Sequence, residues 1–275
     1  MKVEVIEPHG FCAGVTSAVQ KALSMESAFC LHEPVHNELV VGELRSRGFR
    51  FVEDIEDVPD GETVLFSAHG VSPVVRRRAT EKGLVVVDAT CPFVARVHAQ
   101  ARELATRGLP VVIIGNRDHA EVKGLRGEVE TAWVYPDLPS ARRIGVVSQT
   151  TMNADDVAAI VAELRRTYDV ETCAAVCNAT RERQAAVRAF CDRAKAADGT
   201  CAVLVLGSAN SSNTRRLAEI AESCGVRAWR AGTRAEVAAA DFTGVDLLGV
   251  TSGASTPETF LIETVAELAR RDDAH

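Results

Sequence analysis

Three of the eight cysteines stand at equivalent points of the sequence, where an apolar, strand-like run gives way to a helical pattern. They are Cys12 in HGFCAG, Cys91 in DATCP and Cys177 in AAVCNATRERQ. Their spacing of roughly 80 to 90 residues indicates three βα units that each contribute one thiolate to a shared centre. Such loops at the carboxyl ends of parallel strands are where α/β folds build their sites. A cubane iron–sulfur cluster held by three cysteines leaves one iron open to substrate, so the pattern predicts an enzyme.

Cysteine also behaves as a small hydrophobic residue in protein cores, and this second interpretation needs no metal. It fits four further cysteines that lie inside or at the edge of strand or helix patterns, namely Cys30, Cys191, Cys201 and Cys224. For the three boundary cysteines, placement alone leaves a metal site and structural packing both open.

The chain has 275 residues, 47% of them hydrophobic and 25% charged, which is typical of a water-soluble globular protein of one to three domains. Its net charge of −7 argues against broad binding to nucleic acid or an anionic membrane. Any anionic ligand must therefore be held by a local pocket.

The amino-terminal KVEVIE reads as a strand rather than a signal peptide, and the apolar runs are too short to span a bilayer. We therefore expect a cytoplasmic protein. In a reducing compartment, eight cysteines favour thiols or metal ligation over disulfides.

Short runs rich in Val, Ile and Leu alternate with helical patterns, which is the signature of buried parallel strands with crossover helices. The predicted strands are Lys2–Glu7, Thr63–Ser67, Leu84–Asp88, Pro110–Gly115, Arg143–Ser148, Cys201–Gly207 and Asp246–Thr251. The clearest predicted helices span residues 92–108, 153–169 with Asn153 as N-cap, and 256–271 with Thr256 and Pro257 at the start. We expect an α/β fold with mostly parallel sheets.

No linker rich in Pro, Gly or Ser divides the chain, so the cysteine repeat has to supply the domain boundaries. It predicts a first domain at 13–90, a second at 91–176, and a third at 177–275 that is completed by the amino-terminal strand, residues 1–12.

Polar loops follow several of the predicted strands. Three histidines, His36, His69 and His119, lie where an apolar run ends in a turn, although a single loop histidine is usually a solvated surface group. Two further loops offer hydroxyl and amide donors at the start of a helix: Ser211, Ser212 and Asn213 in GSANSSN, and Ser255 in TSGAS. These could bind phosphate. They could equally cap helices, with Asn213 capping its own helix and residues 255–258 forming a capping box.

Another strand ends in SQTT, which places Gln149 and Thr150 at the same kind of boundary. Glu121, two residues after His119, is the carboxyl group best placed to deliver a proton if a substrate lies between these loops.

Nine motifs stand in a fixed order: HGFCAG, HEPVHN, SAHGV, DATCP, HAEVKG, SQTT, C-x-A-T-x-x-R-Q, GSANSSN and TSGAS. In this order and over essentially the whole chain, the sequence resembles the 4-hydroxy-3-methylbut-2-enyl diphosphate reductase family. The resemblance implies a trefoil of three pseudo-symmetric α/β domains around one central [4Fe–4S] cluster per chain. It implies that Cys12, Cys91 and Cys177 are the cluster ligands, and that the neighbouring Cys173 is not.

The resemblance further implies that a diphosphate is held by His36, His69, His119, Ser211, Ser212, Asn213 and Ser255. Glu121 resembles the proton donor, Thr150 the hydroxyl that helps to relay the proton, and Gln149 a supporting residue. His119 is expected to be catalytic as well as to bind the diphosphate. The implied reaction is reductive dehydroxylation of 4-hydroxy-3-methylbut-2-enyl diphosphate to isopentenyl and dimethylallyl diphosphate. The resemblance also implies ferredoxin or flavodoxin as the electron donor. The G-x-G-x-x-G fingerprint of flavin and nicotinamide sites does not follow the first strand, which is consistent with an external donor.

Some positions depart from the family pattern, namely His9, Ala120, Asn178, Arg181, Glu182 and a short segment between Cys12 and His36. None of these departures removes an expected cluster ligand or the expected proton donor. They keep open a diverged paralogue that acts on another allylic diphosphate, and a non-reductive iron–sulfur lyase or hydratase is a further alternative. We expect a monomer or homodimer.

Overall fold

The chain folds into twelve strands and ten α-helices in a computed structural model that describes residues 1–129 and 131–273. The strands are β1 (Lys2–Val5), β2 (Phe29–Leu31), β3 (Arg50–Val52), β4 (Thr63–Phe66), β5 (Val85–Asp88), β6 (Val111–Ile114), β7 (Ala132–Val134), β8 (Arg143–Ser148), β9 (Asp169–Thr172), β10 (Cys201–Leu206), β11 (Arg227–Ala231) and β12 (Leu247–Ser252). The helices are α1 (Ala13–Leu23), α2 (Glu38–Ser46), α3 (Pro73–Glu81), α4 (Pro92–Thr106), α5 (Ala120–Arg126), α6 (Ala154–Leu164), α7 (Asn178–Lys195), α8 (Ser212–Ser223), α9 (Arg234–Ala239) and α10 (Glu258–Asp273).

The strands form three four-stranded sheets, and every strand pair in them is parallel. Sheet A has the order β1-β12-β10-β11, sheet B the order β3-β2-β4-β5, and sheet C the order β7-β6-β8-β9. Because parallel strands need crossover connections, helices separate most of the strands along the chain. The predicted α/β class with parallel sheets is confirmed.

Each sheet repeats one arrangement of strands and polar loops. The edge strand that precedes a cysteine is β1 in sheet A, β5 in sheet B and β9 in sheet C, and its neighbours are β12, β4 and β8 respectively. Sheet A differs only in that its cysteine strand comes from the amino terminus and pairs with the last strand of the chain. The loop after each neighbouring strand therefore lies beside a cysteine loop.

Alternating side chains of the central strands fill a core on both faces of sheets A and C. In sheet A, Val203 and Val205 pack against α7 and α8, whereas Leu204 and Leu206 belong to the opposite core with Phe260 and other residues. In sheet C, Val111 and Ile113 pack on one side and Val112 and Ile114 on the other. Burial on both faces explains why these strands read as continuous apolar runs.

Packing divides the described chain into two compact units. One contains residues 1–12, 36–40 and those from Asn178 onward, and it holds sheet A; the other contains residues 13–35 and 41–177, with sheets B and C. Each sheet lies within one of the three predicted ranges, and the boundaries 13–90, 91–176 and 177–275 with 1–12 stay a prediction. None of the described helices is long and apolar enough to cross a membrane.

The structure corrects two predictions about helices. The helix predicted at 153–169 begins as expected with Asn153 as N-cap but ends at Leu164, because the following segment enters sheet C as β9. Asn213 does not cap α8; its N-cap is Ser211, whose hydroxyl accepts a hydrogen bond from the backbone N–H of Thr214.

Candidate active site

The three cysteines singled out from the sequence share one position in the fold. Cys12, Cys91 and Cys177 each follow a strand and immediately precede the first residue of a helix, α1, α4 and α7 respectively. Their side chains are partly exposed, and that of Cys91, the N-cap of α4, makes no capping hydrogen bond. The first turn of a helix carries partial positive charge, which stabilises a thiolate. These positions suit sulfur ligands for iron.

Each of these cysteines makes the same backbone hydrogen bond to the loop after the neighbouring strand of its sheet. The donors and acceptors are Cys12 N–H to the carbonyl of Ala254 (3.1 Å), Cys91 N–H to that of Ala68 (3.0 Å) and Cys177 N–H to that of Thr150 (3.1 Å). The acceptor residues are Thr150 itself and the residues just before His69 and Ser255. Every cysteine loop is thus tied to a loop that carries a predicted substrate group.

The remaining cysteines have different surroundings. Cys30 and Cys191 are fully buried, and burial raises the pKa of each thiol to about 12, so both stay protonated. Cys201 and Cys224 pack partly buried against the same core as Cys191. The prediction that these four cysteines are structural is in keeping with these positions. Burial, together with the carboxylates of nearby glutamates, also raises the pKa of Cys173.

Glu121 is a buried carboxyl group near the start of α5, with 1% of its surface exposed. Its Oε1 accepts the backbone N–H of Thr150 at 2.8 Å, and its Oε2 accepts the Thr150 hydroxyl at 3.0 Å. Burial raises the pKa of Glu121 to about 7, although the two hydrogen bonds from Thr150 act in the opposite direction. A carboxyl group that is half protonated near neutral pH is suited to general acid catalysis.

Thr150 joins the candidate acid to a candidate ligand. Its N–H and hydroxyl both donate to Glu121, while its carbonyl accepts from Cys177. Thr150, Glu121 and Cys177 are far apart in sequence, and the structure brings them together at the carboxyl ends of the strands of sheet C.

The histidines His69 and His119 meet edge to face, with 5.3 Å between ring centroids. His119 is the N-cap of α5, and its Nδ1 accepts the backbone N–H of Glu121 at 3.2 Å. Because Nδ1 is an acceptor there, Nε2 of His119 carries the ring proton and is a hydrogen-bond donor. His69 Nδ1 lies 3.3 Å from the hydroxyl of Ser67. Both rings are therefore oriented by local bonds.

Gln149 forms hydrogen bonds with two loops of sheet C. Its Oε1 accepts the backbone N–H of Asn116 at 3.0 Å, and its Nε2 donates to the hydroxyl of Thr151 at 2.8 Å. Gly115 allows this approach, since a Cβ at that position would lie 2.9 Å from the Cβ of Gln149. The bonds indicate that Gln149 supports the loops after β6 and β8.

A second group of polar side chains lies at the start of α8. The Ser255 hydroxyl donates to the carbonyl of His36 at 3.0 Å and is 3.5 Å from the hydroxyl of Ser211. The hydroxyl of Ser208 accepts the backbone N–H of Glu38 at 3.2 Å. These bonds bring the loops after β10 and β12 together with the segment that carries His36.

Asn213 is the least satisfied polar side chain of this group. It is 3% exposed, and among the described residues neither its amide nitrogen nor its amide oxygen has a hydrogen-bond partner. Leaving a buried amide unpaired costs roughly 1 to 3 kcal/mol. Together with the buried Ser212 and the amino-terminal N–H groups of α8, this amide suits an anionic ligand that would supply the missing partner.

Sequence reasoning gave Arg183 only as part of a motif, and the structure shows its contacts. The Arg183 side chain is 3% exposed and donates to the carbonyls of Gly10 (2.9 Å), His9 (3.4 Å) and Ala179 (3.0 Å). Gly10 has a φ of +71°, a conformation that favours glycine, and its N–H donates to the hydroxyl of Ser252. Arg183 therefore fixes the loop that ends at Cys12.

Comparison with known proteins gives near full-length matches. Residues 3–269 match the family described as LytB protein. A protein of Burkholderia mallei named 4-hydroxy-3-methylbut-2-enyl diphosphate reductase 2 is 38% identical over 284 residues, covering 97% of this chain and 85% of the relative. A reductase of the same name from Azoarcus is 40% identical over 284 residues, covering 97% and 89%.

Two solved structures are similar over the same length. The E-1-hydroxy-2-methyl-but-2-enyl-4-diphosphate reductase of Plasmodium falciparum is 31% identical with a TM-score of 0.88, covering 97% of this chain and 87% of that one. A structure of (E)-4-hydroxy-3-methyl-but-2-enyl diphosphate reductase, described as the terminal enzyme of the non-mevalonate pathway, is 30% identical with a TM-score of 0.67, covering 98% and 99%.

Proposed function

This chain belongs to the LytB protein family, and we propose that it reduces 4-hydroxy-3-methylbut-2-enyl diphosphate to isopentenyl and dimethylallyl diphosphate. The observation that carries the proposal is the bonded group of Glu121, Thr150 and Cys177, in which Thr150 links an acid with a pKa of about 7 to the backbone of a candidate iron ligand. The relatives named above are all reductases, so neither a diverged paralogue nor a lyase or hydratase is favoured by any observation.

We propose that Cys12, Cys91 and Cys177 hold one [4Fe–4S] cluster. Three observations fit such a group: each thiol is partly exposed, each directly precedes a helix, and thiolates are the usual ligands of iron–sulfur clusters. When bound, the cluster supplies single electrons and an iron without a protein ligand that acts as a Lewis acid. Ferredoxin or flavodoxin is the proposed source of the electrons.

The proposed diphosphate site relies on neutral donors rather than a lysine cluster. Its members are His36, His69, His119, Gln149, Thr150, Ser211, Ser212, Asn213 and Ser255. The unpaired amide of Asn213 and the proton on Nε2 of His119 are donors that suit phosphate oxygens. A site built from neutral donors is in keeping with a chain whose net charge is −7.

The proposed role of Glu121 is to donate the proton that the reduced substrate takes up. Its burial raises its pKa to about 7, so a large fraction of it carries a proton near neutral pH, and the bond to the Thr150 hydroxyl gives the proton a path toward the substrate. Loss of the substrate hydroxyl as water consumes a further proton, which Thr150 would help to relay. His119 fixes the start of α5 and thus the place of Glu121.

The pH dependence of kcat/KM should report the ionisation of Glu121. Because the pKa is raised to about 7, the acid is protonated below this pH and loses its proton above it. We expect kcat/KM to be nearly constant below about pH 7 and to fall by about tenfold per pH unit above it. We call the pH at which kcat/KM begins to fall the pH break. The residual activity of Glu121→Gln should show no pH break near 7. The same pH break in that variant would show that another group causes the pH dependence.

Anaerobic turnover tests the proposed function directly. Protein purified without oxygen should contain about one cubane cluster per chain. With a strong one-electron reductant it should convert 4-hydroxy-3-methylbut-2-enyl diphosphate to the two isoprenoid diphosphates, measured by mass spectrometry. Consumption of the substrate without any reductant, with products that have only lost or gained water, would indicate a lyase or hydratase. An intact cluster without conversion in the presence of reductant would contradict the proposal.

A further inference from the structure

A cluster of three polar side chains, formed by the buried His98 and Glu128 and the half-exposed Arg102, has no part in the proposed chemistry. Nδ1 of His98 lies 2.7 Å from Oε1 of Glu128, and Arg102 donates to Oε2 of the same carboxylate at 2.7 Å. The side chains of His98 and Glu128 are only 6% and 3% exposed. Burying such groups is costly, so the cluster calls for an explanation beyond stability.

The cluster connects two helices that carry candidate site residues. His98 and Arg102 are one turn apart on α4, the helix that begins directly after Cys91. Glu128 lies two residues beyond the end of α5, the helix that carries Glu121. The two bonds to the Glu128 carboxylate therefore hold the carboxyl end of α5 against α4.

The ring of His98 also fills a narrow space between α5 and the loop that contains His69. A Cβ at Gly70 would lie 3.1 Å from Nε2 of His98, and one at Gly124 would lie 3.1 Å from its Cε1. Among the described residues, Nε2 of His98 has no hydrogen-bond partner. The ring is therefore held by its bond to Glu128 and by packing against two glycines.

These contacts lie next to the candidate acid and the histidine pair. Gly70 follows His69 in the chain, and Gly124 is one turn after Glu121 on α5. The same loop meets α5 again at its end, where a Cβ on Gly127 would come within 2.3 Å of the Cβ of Ser72. The His98 ring thus packs against the His69 loop and α5 where these two also touch each other, since a Cβ on Gly124 would lie 3.4 Å from the carbonyl oxygen of Gly70.

We propose that His98 is a positioning residue, whose ring, anchored by Glu128, holds the His69 loop and α5 in a fixed position relative to each other. It thereby fixes where the carboxyl group of Glu121 stands against the bound substrate. This inference rests on the proposed function. A carboxyl group displaced by about 1 Å reacts much more slowly, and it delivers its proton to a different carbon of an allylic intermediate.

The test compares His98→Ala with Leu104→Ala at equal iron content. Leu104 lies on the same helix and is 1% exposed, but it packs against Gly145 and the core of sheet C. We expect His98→Ala to lower kcat by about tenfold or more, to change the ratio of isopentenyl to dimethylallyl diphosphate, and to move the pH break of kcat/KM. Leu104→Ala should leave the product ratio and the pH break unchanged.

Two variants of Glu128 keep the test decisive even if His98→Ala does not fold. Glu128→Gln retains an acceptor for Nδ1 of His98 and should keep the wild-type product ratio, whereas Glu128→Leu releases the ring and should change it. An unchanged product ratio and pH break in His98→Ala, or in Glu128→Leu if His98→Ala does not fold, with active wild-type protein, overturns only this inference. Wild-type protein without reductase activity overturns the proposed function itself.

Discussion

Replacing Glu121 by glutamine should leave the iron content unchanged and lower kcat by about a hundredfold to ten-thousandfold. Glutamine has nearly the same shape and can still accept the backbone N–H of Thr150, so the loop that contacts Cys177 stays in place. It has no acidic proton to donate. The loss should therefore fall on turnover, measured anaerobically with a saturating one-electron reductant, and KM should change little.

The matched control for this substitution is Glu171→Gln. Glu171 is a partly exposed carboxylate that pairs with Arg107 at the surface of sheet C, so Glu171→Gln makes the same side-chain change without touching the candidate site. We expect near wild-type turnover from this control. Full turnover in Glu121→Gln would remove Glu121 from the proton-donor role and direct attention to Thr150 and the histidines.

Sequence patterns predicted seven of the twelve strands in the described part of the chain and missed five. The missed strands are β2, β3, β7, β9 and β11. Four of these are edge strands of their sheets, and β11, for example, reads RAWRA with two arginines. Edge strands face solvent on one side and lack the continuous apolar run that identifies a central strand. β2 is fully buried but has only three residues, too few for any periodicity.

The sequence identified the candidate site residues through the order of their motifs, but it could not predict their chemical environment. That Glu121 is buried and bonded twice by Thr150 depends on contacts between residues 29 positions apart. His98, in the helical VARVHAQAR, looks like an ordinary helix residue, because its partner Glu128 comes from the next helix region. Such pairings come from the packing of α4 against α5.

The repeated hydrogen bond of the three cysteine loops explains why their equivalence was visible in the sequence. In each sheet an edge strand, its neighbour and the loops that follow them form one structural unit, so the cysteine recurs at the same place. The loops after the neighbouring strands carry different side chains, namely Ser255, His69 and Thr150 respectively. One backbone arrangement thus presents three different residue types, so the equivalence of these loops is visible in their backbone hydrogen bonds and not in their sequences.

Serine substitution of Cys12, Cys91 or Cys177 should abolish stable cluster binding, with iron falling from about four atoms per chain to less than about one. Serine oxygen is a much poorer ligand for cluster iron than thiolate sulfur, and only three protein sulfurs are proposed to hold the cluster. Iron and acid-labile sulfide per chain, together with visible absorbance, measure the loss. Thermal unfolding should show that each variant stays folded.

Cys173→Ser is the matched control, since Cys173 lies only four residues before Cys177. Its backbone N–H extends the pairing of β9 with β8 by donating to the carbonyl of Val146, and its side chain packs against the core of sheet C. Burial raises the pKa of its thiol, which disfavours the thiolate that iron requires. We expect Cys173→Ser to keep its iron. If it instead lost iron while Cys177→Ser kept it, Cys173 would be the third ligand, and the bond from Cys177 to Thr150 would no longer connect the cluster to the acid.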